Sequence, residues 1–277
     1  MSTLTVSGVK LFYEVSGSSG EPLVLVHGSW VDHHSWDAVV TDLSRSFRVL
    51  IYDRRGHSQS ERPASSGSIL EDVADLSALI EGLQLAPAHI LGTSLGGSIV
   101  LRLAGEQPDL FRSMIVHEPP LFSLLADMQN GPGMLQAIQE RIAVVVELFE
   151  ANNMEGDARQ FIETVAFGPG VWAQLPSEVK KTAMFNAPTF LDEMHDPETL
   201  SIDLARLRNF SKPALLTLGE HSPPFFLPIV EKLANVLPQA ERKTFLGAGH
   251  EPEQSDPETY VRTLAEFTAK TKSVFHN

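Results

Sequence analysis

Short apolar runs bounded by turn residues recur along the first 120 residues, and longer stretches with helical spacing separate them. PLVLVHG (22–28), RVLIYD (48–53), AHILGT (88–93) and SMIVHE (113–118) each read as a strand. Residues 2–7 and 9–16 are two further strand-like runs, and Gly8 between them predicts a hairpin. Apolar residues at 69, 73, 76, 79, 80 and 83 predict a helix over 69–83, and helices are also expected over 35–45 and 94–107. Strands that are apolar throughout are buried on both faces, which fits a parallel sheet covered by helices. The alternation of strand and helix predicts right-handed βαβ units in an α/β fold.

From 120 to 206 the rhythm changes. No convincing strand appears, and 133–151, 155–166 and 175–195 look helical, with breaks expected at Gly-Pro pairs 131–132 and 168–169 and at Pro176 and Pro188. Strand rhythm returns at 213–219 and 241–246, with helices at 225–237 and 256–270. The expected organisation is therefore a core domain, 1–119 and 207–277, interrupted by a helical cap domain over 120–206. Such an insertion would lie over the carboxyl ends of the strands, where open α/β sheets bind ligands. Its Leu, Phe and Met side chains and Trp172 suit an apolar lid, although for any single residue the plainer expectation is packing of the lid against itself.

Composition narrows the function. With 277 residues and 43% apolar content the chain can bury a sizeable core. A net charge of −14 works against nucleic-acid and anionic-membrane partners. The absence of Cys rules out disulfides, thiolate catalysis and Cys-ligated metals. The N-terminal segment has no secretory pattern, and no apolar run approaches the roughly 20 residues needed to span a bilayer. A cytoplasmic enzyme or binding protein is expected.

The chemistry concentrates at Gly92-Thr93-Ser94-Leu95-Gly96, a G-x-S-x-G pattern set between an expected strand and an expected helix. A nucleophile on so tight a turn needs neighbours without side chains, because the strand and helix backbones approach closely. The helix N-terminus aims free N–H groups at the same place, so the Leu95 N–H can stabilise an oxyanion. The plainer reading is that Ser94 only caps a helix. A serine nucleophile needs a base, and of the ten His, His250 in Gly247-Ala248-Gly249-His250 follows the last expected strand on a loop returning to the carboxyl edge. His27, His33, His34, His57 and His117 also fall near strand ends and are expected to line the mouth or hydrogen-bond loops.

With these pieces in place the chain resembles the α/β-hydrolase superfamily over roughly residues 10–270. His27-Gly28, the run Asp53-Arg54-Arg55-Gly56-His57-Ser58-Gln59-Ser60, the Gly92–Gly97 motif and Gly249-His250-Glu251-Pro252 occur in family order, with Ser58 in place of a common Gly. The resemblance implies an eight-stranded, mostly parallel sheet, a helical cap after the sixth strand, and a second oxyanion donor in the Ser29 backbone N–H. It also exposes a departure. Where the family usually carries Gly-x-x-Asp after the seventh strand, this chain has Gly219-Glu220-His221-Ser222, and Ser cannot be an anionic partner for His. Glu220 is near that loop but two residues early. Glu118 follows the sixth strand, where many haloalkane dehalogenases and the zearalenone lactonases carry their acid, and His117-Glu118-Pro119-Pro120-Leu121 resembles the latter.

The expected activity is cleavage of a carboxylic ester or lactone through an acyl-enzyme on Ser94. His250 would act as base, Glu118 as its orienting acid, and Ser29 and Leu95 as oxyanion donors. Trp30, Trp172 and Phe122 are candidate substrate contacts, and the substrate is expected to be a small molecule with an apolar portion. The mechanism calls for no metal and no organic cofactor. Perhydrolysis without a cofactor, carbon–carbon bond hydrolysis, and receptor-like ligand binding on the same fold are the alternatives.

Overall fold

The computed structural model describes residues 2–64 and 67–272. Eight strands form one sheet: β1 (Ser2–Val6), β2 (Val9–Ser16), β3 (Glu21–Val26), β4 (Phe47–Tyr52), β5 (Ala88–Thr93), β6 (Phe111–His117), β7 (Ala214–Gly219) and β8 (Ala240–Phe245). Their spatial order is β1-β2-β4-β3-β5-β6-β7-β8. β1 and β2 form the expected hairpin, with Val6 opposite Val9, and β2 also runs antiparallel to β4. All remaining pairings are parallel.

The uniformly apolar strands divide between two faces, as the pleat requires. Val24, Val26, Ile90, Met114, Val116 and Leu216 pack into a core with α2 (Ile69–Gly82) and α3 (Leu95–Glu106). Their alternates Leu23, Leu25, Leu91, Ile115 and Leu215 face a second core built with α1 (Asp37–Leu43) and the C-terminal helix. The first expected helix is split: a 3₁₀ turn, His33–Trp36, precedes α1, and the Asp32 carboxylate caps it by accepting from the His34 N–H at 2.9 Å.

Between β6 and β7 the described residues contain no strand: a 3₁₀ turn at Phe122–Leu125, α4 (Gly131–Glu150), α5 (Met154–Phe161), a π-helical turn at Ile162–Ala166, α6 (Val171–Gln174), α7 (Ser177–His195) and α8 (Leu204–Leu207). One expected break, at Pro188, does not occur, while the one at Gly131-Pro132 does. Gly131-Pro132 opens α4, because a proline at a helix start lacks only an N–H that would have no helical partner. Pro188 lies inside α7, which continues to His195 because Ala187, Thr189 and Phe190 around it are buried in the insertion. After β7 come α9 (Phe226–Val236), α10 (Pro252–Ser255) and α11 (Pro257–Lys272). Among the described residues no helix is long and apolar enough to cross a membrane.

Candidate active site

The strand order places the carboxyl ends of β3, β5, β6 and β7 side by side, and the singled-out residues leave the sheet there. Ser94 follows β5 directly, with φ 54° and ψ −126°, a conformation side chains other than glycine rarely adopt. The turn that holds it demands Gly92: a Cβ there would lie 2.2 Å from the Gly96 carbonyl oxygen. The Ser94 N–H donates to the His117 carbonyl at 2.9 Å, tying the elbow to β6.

Glu118, one residue past β6, has φ 45° and is fully buried. Its Oε1 accepts from the Gly219 N–H at 2.7 Å, and its Oε2 lies 2.5 Å from His250 Nδ1. Burial acts to raise the Glu118 carboxyl, but the flanking His117 and His250 imidazoles and the hydrogen bonds outweigh it and hold the group below the usual carboxylate range. The His250 loop can approach β7 this closely because residue 219 has no side chain: a Cβ there would sit 2.2 Å from the Gly249 carbonyl oxygen. The His250 ring stacks on Phe226 at 4.9 Å and meets the edge of Phe167 at 5.8 Å. With Nδ1 on the carboxylate, Nε2 is left for chemistry. Ser94, His250 and Ser29 together line two adjoining cavities beneath the helical insertion.

Glu220 lies elsewhere. It is exposed, and its carboxylate accepts from the Gly247 N–H at 2.7 Å, bracing the loop after β8. Ser222 is partly buried, and its hydroxyl beside Glu118 favours the charged carboxylate. Trp30 is buried with φ 69° and stacks on Phe161 at 5.1 Å, forming a wall of one cavity. Phe122, buried against Phe225 at 5.2 Å, lines the other. Trp172 lines neither: it packs inside the insertion with Val145 and Ala183, and Lys180 sits 5.6 Å over its ring. Leu95 is buried at the first turn of α3, where its N–H is free of a helical partner.

The five other histidines named from the sequence are hydrogen-bonded into place. His33 meets Asp53 at 2.6 Å, His34 meets Asp37 at 2.9 Å, and His57 meets Thr189 at 3.1 Å. His117 contacts Thr217 Oγ1 at 2.9 Å, and burial drives it down to about 4, so it is neutral near pH 7. His27 is likewise lowered to about 4 by burial and then by Arg54. Its Nε2 accepts from the Arg54 N–H at 3.0 Å, so the proton sits on Nδ1, which donates to the Gly28 carbonyl at 2.8 Å.

Several polar groups at the site are not legible as such in the sequence. Arg54 is fully buried and bridges Asp72 and Glu193. Glu193, on α7, lines the cavity beside Phe122, and burial raises its carboxyl against the pull of Arg54. Glu253 lines the cavity beside Trp30, and burial, then Glu251, pushes it well above the usual range. Among the described residues, His117, Glu118 and His250, and separately Asp32, His33 and Asp53, present ligand atoms within 4.8 Å of one another, spacing that could hold a cation. In both groups hydrogen bonds already engage the carboxylates.

Comparison with known proteins agrees with this architecture. The sequence pattern of the family described as alpha/beta hydrolase fold matches residues 21–252. An uncharacterized hydrolase, YraK, of Bacillus subtilis (strain 168) is 37% identical over 139 residues, 50% of this chain and 49% of that protein. A non-heme chloroperoxidase of Streptomyces lividans is 38% identical over 105 residues, 37% of this chain and 38% of that protein. The match thus spans less than half the length of either relative. A solved structure described as Est816, an N-acyl homoserine lactone degrading enzyme, superposes with a TM-score of 0.76 at 22% identity, covering 96% of this chain and all of that one. At that identity the likeness speaks to the fold alone.

Proposed function

Since the chain belongs to the alpha/beta hydrolase fold family, we propose that it is a serine hydrolase that cleaves a carboxylic ester or lactone through an acyl-enzyme on Ser94. The observation that supports this most is the 2.5 Å contact between a buried Glu118 carboxylate and His250, at the rim of the cavities that Ser94 also lines. The helical insertion over 120–206 acts in this reading as a cap that closes the substrate site.

His250 Nε2 takes the Ser94 proton as Oγ bonds to the acyl carbon. The developing oxyanion is held by the Ser29 and Leu95 N–H groups. As the carbon–oxygen bond to the leaving group breaks, His250 gives its proton to the departing alkoxide. A water then enters, His250 takes its proton as the oxygen bonds to the acyl carbon, and His250 returns that proton to Ser94 Oγ as the acyl–Oγ bond breaks and the acid leaves. Glu118 keeps the His250 proton on Nδ1 and stabilises the imidazolium at each stage. Cavity walls of Trp30, Phe161, Phe122 and Phe226 suit a substrate with apolar portions on both sides of the scissile bond.

Incubation with a fluorophosphonate should modify Ser94 in one-to-one stoichiometry, and p-nitrophenyl esters should be turned over. Ser94→Ala should abolish the labelling and lower turnover by at least about a thousandfold. A wild-type protein that neither labels nor hydrolyses any ester or lactone in a broad panel favours the receptor-like binding reading, and the proposal fails. The chloroperoxidase relative favours one second reading, perhydrolysis of the same acyl-enzyme by hydrogen peroxide in place of water, which peroxide-dependent peracid formation would reveal.

A further inference from the structure

Helix α7 of the insertion reaches the sheet rim with three polar side chains. Asn186 Nδ2 donates to the Val31 carbonyl at 3.0 Å, and its Oδ1 accepts from the Ser58 N–H at 2.8 Å. Thr189 meets His57. The third, Glu193, is buried and divides its two oxygens: Oε2 accepts from the Ser29 hydroxyl at 2.6 Å, and Oε1 accepts from Arg54 Nη2 at 3.1 Å.

Arg54 passes this hold onward. Its Nη1 donates to the Gly28 carbonyl at 3.2 Å, the same oxygen that His27 Nδ1 reaches. The Gly28 carbonyl and the Ser29 N–H belong to one planar trans peptide group, so fixing the carbonyl fixes the direction of the N–H. Glu193 therefore grips both ends of one peptide group: the Ser29 side chain directly, and the Gly28 oxygen through Arg54. The space behind that peptide is also limited, because a Cβ at Gly28 would lie 3.0 Å from Ser94 Cβ.

We propose that Glu193 is a positioning residue for the oxyanion donor: through Ser29 and Arg54 it sets the plane of the Gly28–Ser29 peptide, so seating the helical insertion and forming the oxyanion hole are one event. This rests on the acyl-transfer reading of Ser94.

The test compares wild type, Ser29→Ala, Glu193→Ala and the double variant. Ser29→Ala keeps the backbone N–H but removes its tie to Glu193. Each is assayed with a p-nitrophenyl ester and with an aryl trifluoromethyl ketone, which binds serine hydrolases as an oxyanion adduct. Glu193→Ala should lower kcat by about tenfold to a hundredfold with little change in KM, as expected for a misaimed donor. Affinity for the ketone should weaken by the same factor. Ser29→Ala should move both quantities together in the same direction, and the double variant should be no worse than Glu193→Ala. Should Glu193→Ala fail to fold, Ser29→Ala decides alone: parallel losses support the proposal, and values within twofold of wild type overturn it. Changes confined to KM or to the melting temperature also overturn it, since they mark a structural role only. A wild type that fails to label with fluorophosphonate removes the acyl-transfer reading and this inference with it. A wild type that labels, beside variants indistinguishable from it, removes this inference alone.

Discussion

Glu118 and Glu220 show how little separates a site residue from a loop brace. Both are glutamates beside the ends of neighbouring strands, and one is fully buried on His250 while the other holds the Gly247 N–H at the surface. The backbone makes the difference. The positive φ of Glu118 turns its side chain back over the sheet, and the buried carboxylate is stabilised there by the Gly219 N–H and the imidazole. Glu118→Gln should lower kcat by about 10³-fold to 10⁴-fold, because an amide cannot hold the imidazolium or enforce its tautomer. Glu220→Gln should stay within about twofold. Steady-state kinetics with circular dichroism as a check on folding measures both, and equal activity of Glu118→Gln and wild type removes Glu118 from the proposed triad. The resemblance to a family branch pointed to position 118. Glu193 carried no such signal: its partner Ser29 is 164 residues away, and a glutamate on a helix ordinarily faces water.

Periodicity identified the helices and strands of the sheet because both faces of that sheet are covered, which forces apolar residues into every central strand. β8 shows the converse. As an edge strand it exposes Glu241, Arg242, Lys243 and Thr244, charge that protects an unpaired edge. The helix expected over 69–83 starts at Ile69 as read from the sequence. α2 opens with a reciprocal capping box, in which the Ser68 side chain accepts from the Glu71 N–H and Glu71 accepts from the Ser68 N–H at 3.0 Å. Ser68→Ala should destabilise the protein by about 1 kcal/mol in urea denaturation. An unchanged unfolding midpoint would show that packing alone holds this helix. In the insertion, Pro132 and Pro176 mark helix starts as expected, but Pro188 sits within α7. Burial of the surrounding helix outweighs a local preference of about 3 kcal/mol.

For the molecule as a unit, the site is an assembly of distant segments enclosed by the insertion, and enclosure has a consequence for stability. Glu253 is buried, and the folded state holds its carboxyl protonated above the ordinary range, chiefly through desolvation. The unfolded chain loses that proton at an ordinary carboxylate pH. Between the two values the folded state binds more protons, so this group makes stability fall as pH rises. Glu253→Gln removes the titration while keeping the shape. Its stability relative to wild type should therefore grow from pH 5 to pH 8, by up to about 1.4 kcal/mol per pH unit while the difference persists. Chemical denaturation of both proteins at the two pH values measures this, and a constant difference would show that Glu253 is charged in the fold.

The order of strands and helices, the elbow at Ser94 and the loop bearing His250 were all present in the one-dimensional pattern, because they depend on local periodicity and on glycine spacing that neighbouring residues report. Which carboxylate pairs with His250, the absence of Trp172 from the cavity walls, and the grip of Glu193 on the Ser29 loop were settled by the fold. The first and third depend on contacts between segments more than 100 residues apart and the second on packing within the insertion, and burial, which gives those contacts their strength, is a property of the packed chain and not of any stretch of it.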